Sequence, residues 1–162
     1  MVWRCWLAIL LLTAGRAWAQ DPVPVAVFPF ELADTSGEAA APGRDARLAL
    51  ATAALAQKLE QSGRYRLVDL SPFAAEVAAT APRYECGDCW LAVARKSGAT
   101  LAVVASVHKV STLISTMDIR IADLRTGRYI AHVQGQIRGD TDAAYQRGVD
   151  FLVGERLLRP PP

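Results

Sequence analysis

The chain has 162 residues, 52% of them apolar, with 18 Lys and Arg against 16 Asp and Glu. That length fits one domain with room for a substantial core. The near-balanced charge, with no run of Lys or Arg, excludes the electrostatic footprint of a nucleic-acid binder.

The first segment, "MVWRCWLAILLLTAGRAWAQ", has Arg4 near the terminus, an apolar stretch from Cys5 to Leu12, and small residues at Ala17 and Ala19. It reads as a secretory signal peptide over residues 1–19, cleaved before Gln20. The apolar stretch is shorter than the roughly 20 residues a membrane span takes. No cysteine stands at the cut and no arginine pair precedes it, so neither a lipid anchor nor a twin-arginine export signal is expected. The mature chain should be periplasmic or secreted. The leader holds Arg4, Arg16 and Cys5 and no acid, so its removal equalises the two signs of charge. It also leaves Cys86 and Cys89 as the remaining thiols, and in an oxidising compartment a disulfide is their default state.

"PVPVAVFPFEL" predicts an extended strand over 23–30, its prolines placing its start near a sheet edge. A polar loop over 31–43 should follow. "RDARLALATAALAQKLEQSG" carries Leu48, Ala51, Leu55 and Leu59 at helical spacing, with Gly63 as its stop. "RYRLVDL" predicts a short buried strand from Tyr65 to Leu70. Ser71 and Pro72 then open a short helix bearing Phe73 and Val77, which Pro82 ends. The segment from Cys89 to Lys96 predicts another helix. The Val-rich run "ATLAVVASVHKVSTL" suits a central strand covered on both faces.

Clean alternation follows. Met117, Ile119 and Ile121 point to one side, Asp118 and Arg120 to solvent. Tyr129, Ala131, Val133 and Ile137 repeat the pattern on a return strand. The turn between them, Asp123 to Gly127, predicts a hairpin. A closing amphipathic helix carries Tyr145, Val149, Leu152 and Leu157, with Asp140 or Asp142 as its cap. Residues 159–162 should form a disordered tail.

The order β-α-β-α-α-β-β-β-α predicts a single α/β domain over 20–158. Its five-stranded mixed sheet has three parallel strands with right-handed crossover helices, then a C-terminal antiparallel hairpin, and helices pack on it.

Four segments carry a resemblance: "VAVFPFE", "LEQSGRYRLVD", "KSGATLAVVASV" and "IADLRTGRYIA". Together they resemble the amino-terminal domain of TolB and the domain of the curli-secretion lipoprotein CsgG. Within that set, the compact length and the C-x-x-C resemble a family of small secreted bacterial proteins of unknown function. The resemblance implies an α/β domain acting in the cell envelope through protein contacts, without a catalytic motif. It also implies a link to periplasmic quinoprotein oxidation systems for some members. Two departures stand out. CsgG relatives are lipoproteins, whereas this chain lacks the cleavage-site cysteine, and TolB continues into a propeller.

Candidate sites are few. Cys86 and Cys89 could form a redox pair, because a helix N-terminus favours the thiolate. The pair follows a loop rather than a strand, however, and Trp90 comes after it, so the position favours a staple over a thioredoxin-like centre. Zinc could use the two cysteines with His108 and His132, but those histidines lack metal-ligand spacing and fall on strands. The sequence contains no phosphate-binding loop, nucleophile elbow or H-E-x-x-H. No catalytic residue, metal or cofactor is therefore assigned. Ligands of open α/β sheets favour the carboxyl ends of parallel strands, where Glu31, Asp34 and Thr35 of the 31–43 loop would line a crevice.

The sequence thus reads as a non-catalytic, protein-binding accessory domain of the envelope. A thiol-disulfide accessory protein is the alternative.

Overall fold

Pro29 decides the strand count. It has no N–H to give a ladder, so the chain breaks at residues 28–30 and then resumes. Strand β1 is Val23–Val27 and β2 is Glu31–Asp34. Both run parallel to the same strand, β4 (Leu101–Lys109): β1 against Leu101 to Val103, β2 against Ser106 to Lys109. The first half of the expected polar loop is therefore strand, and the sheet has six strands rather than five. The computed structural model describes residues 21–159. The leader and, apart from Arg159, the tail lie outside them.

The remaining elements follow the expected order. They are α1 (Arg44–Gln61), β3 (Tyr65–Leu67), a 3₁₀ turn (Ser71–Phe73) leading into α2 (Ala74–Ala79), and α3 (Trp90–Lys96). Then come β5 (Ile114–Asp123), β6 (Arg128–Arg138) and α4 (Asp142–Phe151), which continues as a π-helical turn over Leu152–Leu157. The sheet order is β3-β1-β4-β5-β6, with β2 beside β4 as a continuation of β1. β3, β1 and β4 are parallel, and β4, β5 and β6 are antiparallel.

Local chemistry explains the ends of the elements. Gly63 takes a left-handed φ of 68° and donates to the Glu60 carbonyl at 3.0 Å, closing α1. In the hairpin turn, Asp123 Oδ1 accepts the N–H groups of Arg125 and Thr126, and Gly127 donates to the Asp123 carbonyl at 2.8 Å. Two expected caps are replaced by neighbours. Asp69, not Ser71, opens the 3₁₀ turn by accepting the Ser71 N–H at 2.8 Å. Thr141, between the two expected aspartates, caps α4 by accepting the Ala144 N–H at 3.2 Å. In β6, Ile130 is an extra residue: the register shifts between Ile121 and Ala122, so this position bulges outward.

Helices α1 and α4 cover one face of the sheet, burying Val25, Val103, Val107, Met117, Ile119 and Ile121. Helices α2 and α3 cover only the lower half of the opposite face, where Phe28 and Trp90 meet edge to face at 5.9 Å over Ala26, Ala102 and Ala122. The expectation that the central strand is covered on both faces therefore holds for its first half alone. Above Val104 that outer face carries Ser106, His108, Thr116, Asp118, Arg120, His132, Gln134 and Gln136, with no helix over them.

At the top of β4 the Lys109 side chain is only 2% exposed. Its Nζ lies 3.2 Å from Glu38, 3.5 Å from Asp140 and 3.8 Å from Asp34. Burial pulls this ammonium pKa down, but the three carboxylates outweigh burial and hold it above the ordinary lysine value. Arg47 joins from α1, 2.6 Å from Asp140.

Candidate functional site

Strand β3 is too short to continue beside β2, so the sheet has a gap at the carboxyl ends of β1 and β3. A groove of about 530 Å³ fills it. Val27, Pro29, Phe30, Leu70, Val77 and Ala81 give it apolar walls, while Glu31 and Arg83 give it one polar end. The groove lies at the carboxyl ends of parallel strands.

Of the three residues expected to line it, Glu31 does so. Asp34 and Thr35 do not. Asp34 accepts both the hydroxyl and the N–H of Ser36, which hold its carboxyl below the usual carboxylate range, and it faces Lys109. Thr35 Oγ1 hydrogen-bonds His108 Nε2 at 2.8 Å. Successive side chains of a strand point to opposite faces, so the strand turns Asp34 to the face opposite Glu31, while Thr35 lies further along the open face beside His108.

Glu31 and Arg83 also form the floor of a smaller cleft, about 40 Å³, on the open sheet face. The Arg83 side chain is 6% exposed and lies 2.8 Å from Glu31 Oε1. Its guanidinium donates to the carbonyls of Pro29 and Val77 and to Thr80 Oγ1, and it stacks over Phe28. Its backbone N–H donates to Glu31 Oε2 at 2.7 Å. Burial lowers the Arg83 pKa, and the Glu31 charge opposes that shift.

The cleft's other wall is a chain of polar contacts across β5 and β6. Asp118 Oδ2 is bonded to His132 Nε2 at 2.5 Å, and Asp118 Oδ1 lies 2.7 Å from Arg120 Nε. Arg120 sits over the Tyr129 ring, and the Tyr129 hydroxyl donates to Asp88 at 3.0 Å. Burial, then Asp88, raises the Tyr129 pKa, and burial raises that of Tyr84 at the rim. Asp118 therefore does not face solvent as the alternation predicts; its side chain is only 12% exposed.

Cys86 and Cys89 form a disulfide with a Cα separation of 5.5 Å. Within the turn it closes, Gly87 and Asp88 both have left-handed backbones, φ 57° and 70°. That turn presents Asp88 to Tyr129, so the cysteines reach the open face through one hydrogen bond. The histidines stay apart, His108 on Thr35 and His132 on Asp118. Among the described residues no three His, Cys, Asp or Glu side chains are placed to hold a metal. No helix among them is long and apolar enough to cross a membrane. Among the same residues no hydroxyl or thiol is hydrogen-bonded to His132.

Sequence reasoning missed Asp118, Arg120 and His132 as a cluster. The signal was present: alternation puts Asp118 and Arg120 on one face, and the hairpin sets His132 opposite Arg120. Arg83 gave no signal, since its partner lies 52 residues away.

Several solved structures share this fold. The C-terminal domain of LpoB from Escherichia coli is similar at a TM-score of 0.52 and 19% identity, covering 71% of this chain and 82% of that one. PelC from Paraburkholderia phytofirmans, a dodecamer, is similar at 0.50 and 15%, covering 89% and 91%. TolB from Acinetobacter baumannii is similar at 0.51 and 12%, covering 85% of this chain but 29% of TolB. The TolB-like fold expected from the sequence is thus borne out; at these identities the likeness concerns the fold alone. No curated protein matches the chain by sequence. The model of the DUF3280 family, described as "Protein of unknown function (DUF2380)", matches residues 23–157, and the chain belongs to that family.

Proposed function

We propose that this chain is an exported accessory domain of the bacterial cell envelope that binds a protein partner through its open sheet face. The partner belongs to an envelope complex or an exported oxidase system of the quinoprotein type. The uncovered upper half of the sheet carries this reading. Its polar side chains are fixed by one another, as in Asp118–His132 and Glu31–Arg83, and they adjoin an apolar groove. A rigid polar surface beside an apolar pocket is the anatomy of a protein interface. The resemblance to TolB and CsgG, whose relatives act through protein contacts, supports the same reading.

Crosslinking capture from periplasmic extract tests it. The chain should recover a protein that the doubly reversed variant Arg120→Glu, His132→Glu loses. Recovery of no partner, even with crosslinker, would refute the reading.

A redox accessory role for Cys86 and Cys89 is the second reading, favoured by the Asp88–Tyr129 bond that ties their turn to the face. Equilibration with glutathione buffers separates the two. A potential below about −300 mV marks a structural bond, and one between about −120 and −200 mV marks a working couple.

A further inference from the structure

Strand β6 ends the sheet, and its outer edge pairs with nothing among the described residues. Gly139 donates inward to Leu113 at 3.0 Å. An antiparallel ladder alternates, so the backbone groups of His132, Gln134, Gln136 and Arg138 point away from β5. Four consecutive outward pairs are thus left without a strand.

A groove of about 210 Å³ runs beside that edge, between β6 and α4. Its floor is formed by two glycines. Gly135 lies under Leu152, and a Cβ on Gly148 would stand 2.6 Å from Ile137 Cγ2. Its rim holds Arg138, Arg147 and Phe151, the last half-exposed. Arg128, Arg138 and Arg147 make no ion pair among the described residues. The edge therefore offers unpaired backbone, a side-chain slot, and uncompensated positive charge on both sides of the strand, Arg138 toward the open face and Arg147 on α4.

From these features we infer that the β6 edge is a docking site for an extended acidic segment of the partner protein, which adds as a further strand and places successive carboxylates on its two sides, one beside Arg138 on the open face and one beside Arg147 on the α4 side. Main-chain bonds along an edge supply affinity, and a pocket for alternate side chains supplies selection. A second copy of this chain fits poorly, because the edge itself, Arg128–Arg138, carries no carboxylate to meet Arg138 or Arg147. The inference rests on the protein-binding reading above and names the surface and the class of partner.

The probe is a ten-residue capped peptide of alternating valine and threonine with two central glutamates, compared with its lysine counterpart. Hydrogen exchange of the full chain should show the glutamate peptide protecting the amides of His132, Gln134, Gln136 and Arg138, and the lysine peptide protecting none. Arg138→Glu with Arg147→Glu should weaken binding at least tenfold. Gln134→Pro should abolish it while leaving the melting temperature nearly unchanged, because that N–H is spare and proline is tolerated on the solvent side of an edge strand. Equal protection by both peptides, protection elsewhere, or a concentration-dependent dimer of the chain alone would overturn the inference. If Gln134→Pro leaves partner capture intact while the Arg120, His132 variant loses it, the edge is wrong and the open face stands.

Discussion

Arg83→Met is the most informative single change. The guanidinium is buried, donates to three groups on two segments, and neutralises a carboxylate whose side chain is only 12% exposed. Glu31 Oε1 lies at ion-pair distance from Arg83 but off the N–H direction, so charge alone holds it. Methionine keeps most of the volume and removes the charge, leaving that oxygen without compensation. Breaking a buried pair from one side costs about 3–5 kcal/mol. For a domain of this size that lowers the melting temperature by about 10–15 °C. Urea denaturation with unchanged m-value measures it directly. Glu31→Leu in the Arg83→Met background removes the stranded charge as well, and should recover about 2 kcal/mol or more relative to additivity. A single-variant cost below about 1 kcal/mol, or strict additivity in the double variant, would refute the idea that the pair is electrostatically closed off from water.

Gly148→Ala drives a Cβ into Ile137 where α4 crosses β6 and should destabilise by about 1–3 kcal/mol in the same denaturation assay. The Tyr145 pKa is raised to about 12, by burial first and Asp140 second. Its folded value exceeds the unfolded one, so its contribution is intact below pH 10 and is lost as the pH rises through about 12. Tyr145→Phe should accordingly flatten the alkaline fall in stability between those limits. Replacing Cys86 and Cys89 together by Ser opens a ring of only three intervening bonds in sequence and should cost no more than about 2 kcal/mol. The same variant should lose protection of the Tyr129 region in hydrogen exchange, as Asp88 is released. Intact protection there would detach the cysteine turn from the face.

Most of the fold was legible because it rests on periodicity. The alternation of Met117, Ile119 and Ile121 and the helical spacing of Leu48, Ala51, Leu55 and Leu59 are local signals, and each residue lies on the face its period assigns. The site was less legible because its bonds are long-range. Asp118 looked like a solvent-facing acid until β6 placed His132 beside it, and Glu31 looked like a loop residue until β2 formed against β4. Lys109 shows the same limit from the other side. It lies in the Val-rich run read as a strand, and acids from β2, the loop before α1 and the turn before α4 close over it. No window of neighbouring residues contains that information.

The bulge at Ile130 also sets a length. Above it, β6 runs uninterrupted from Ala131 to Arg138, about 27 Å at the rise of an antiparallel strand. At the extra residue the twist tightens and the direction of the edge changes. The straight segment therefore works as a ruler of about eight residues. A longer segment laid along it must leave the sheet at the bend, next to Tyr129 and the disulfide turn, and whatever follows in that segment would be delivered to the open face.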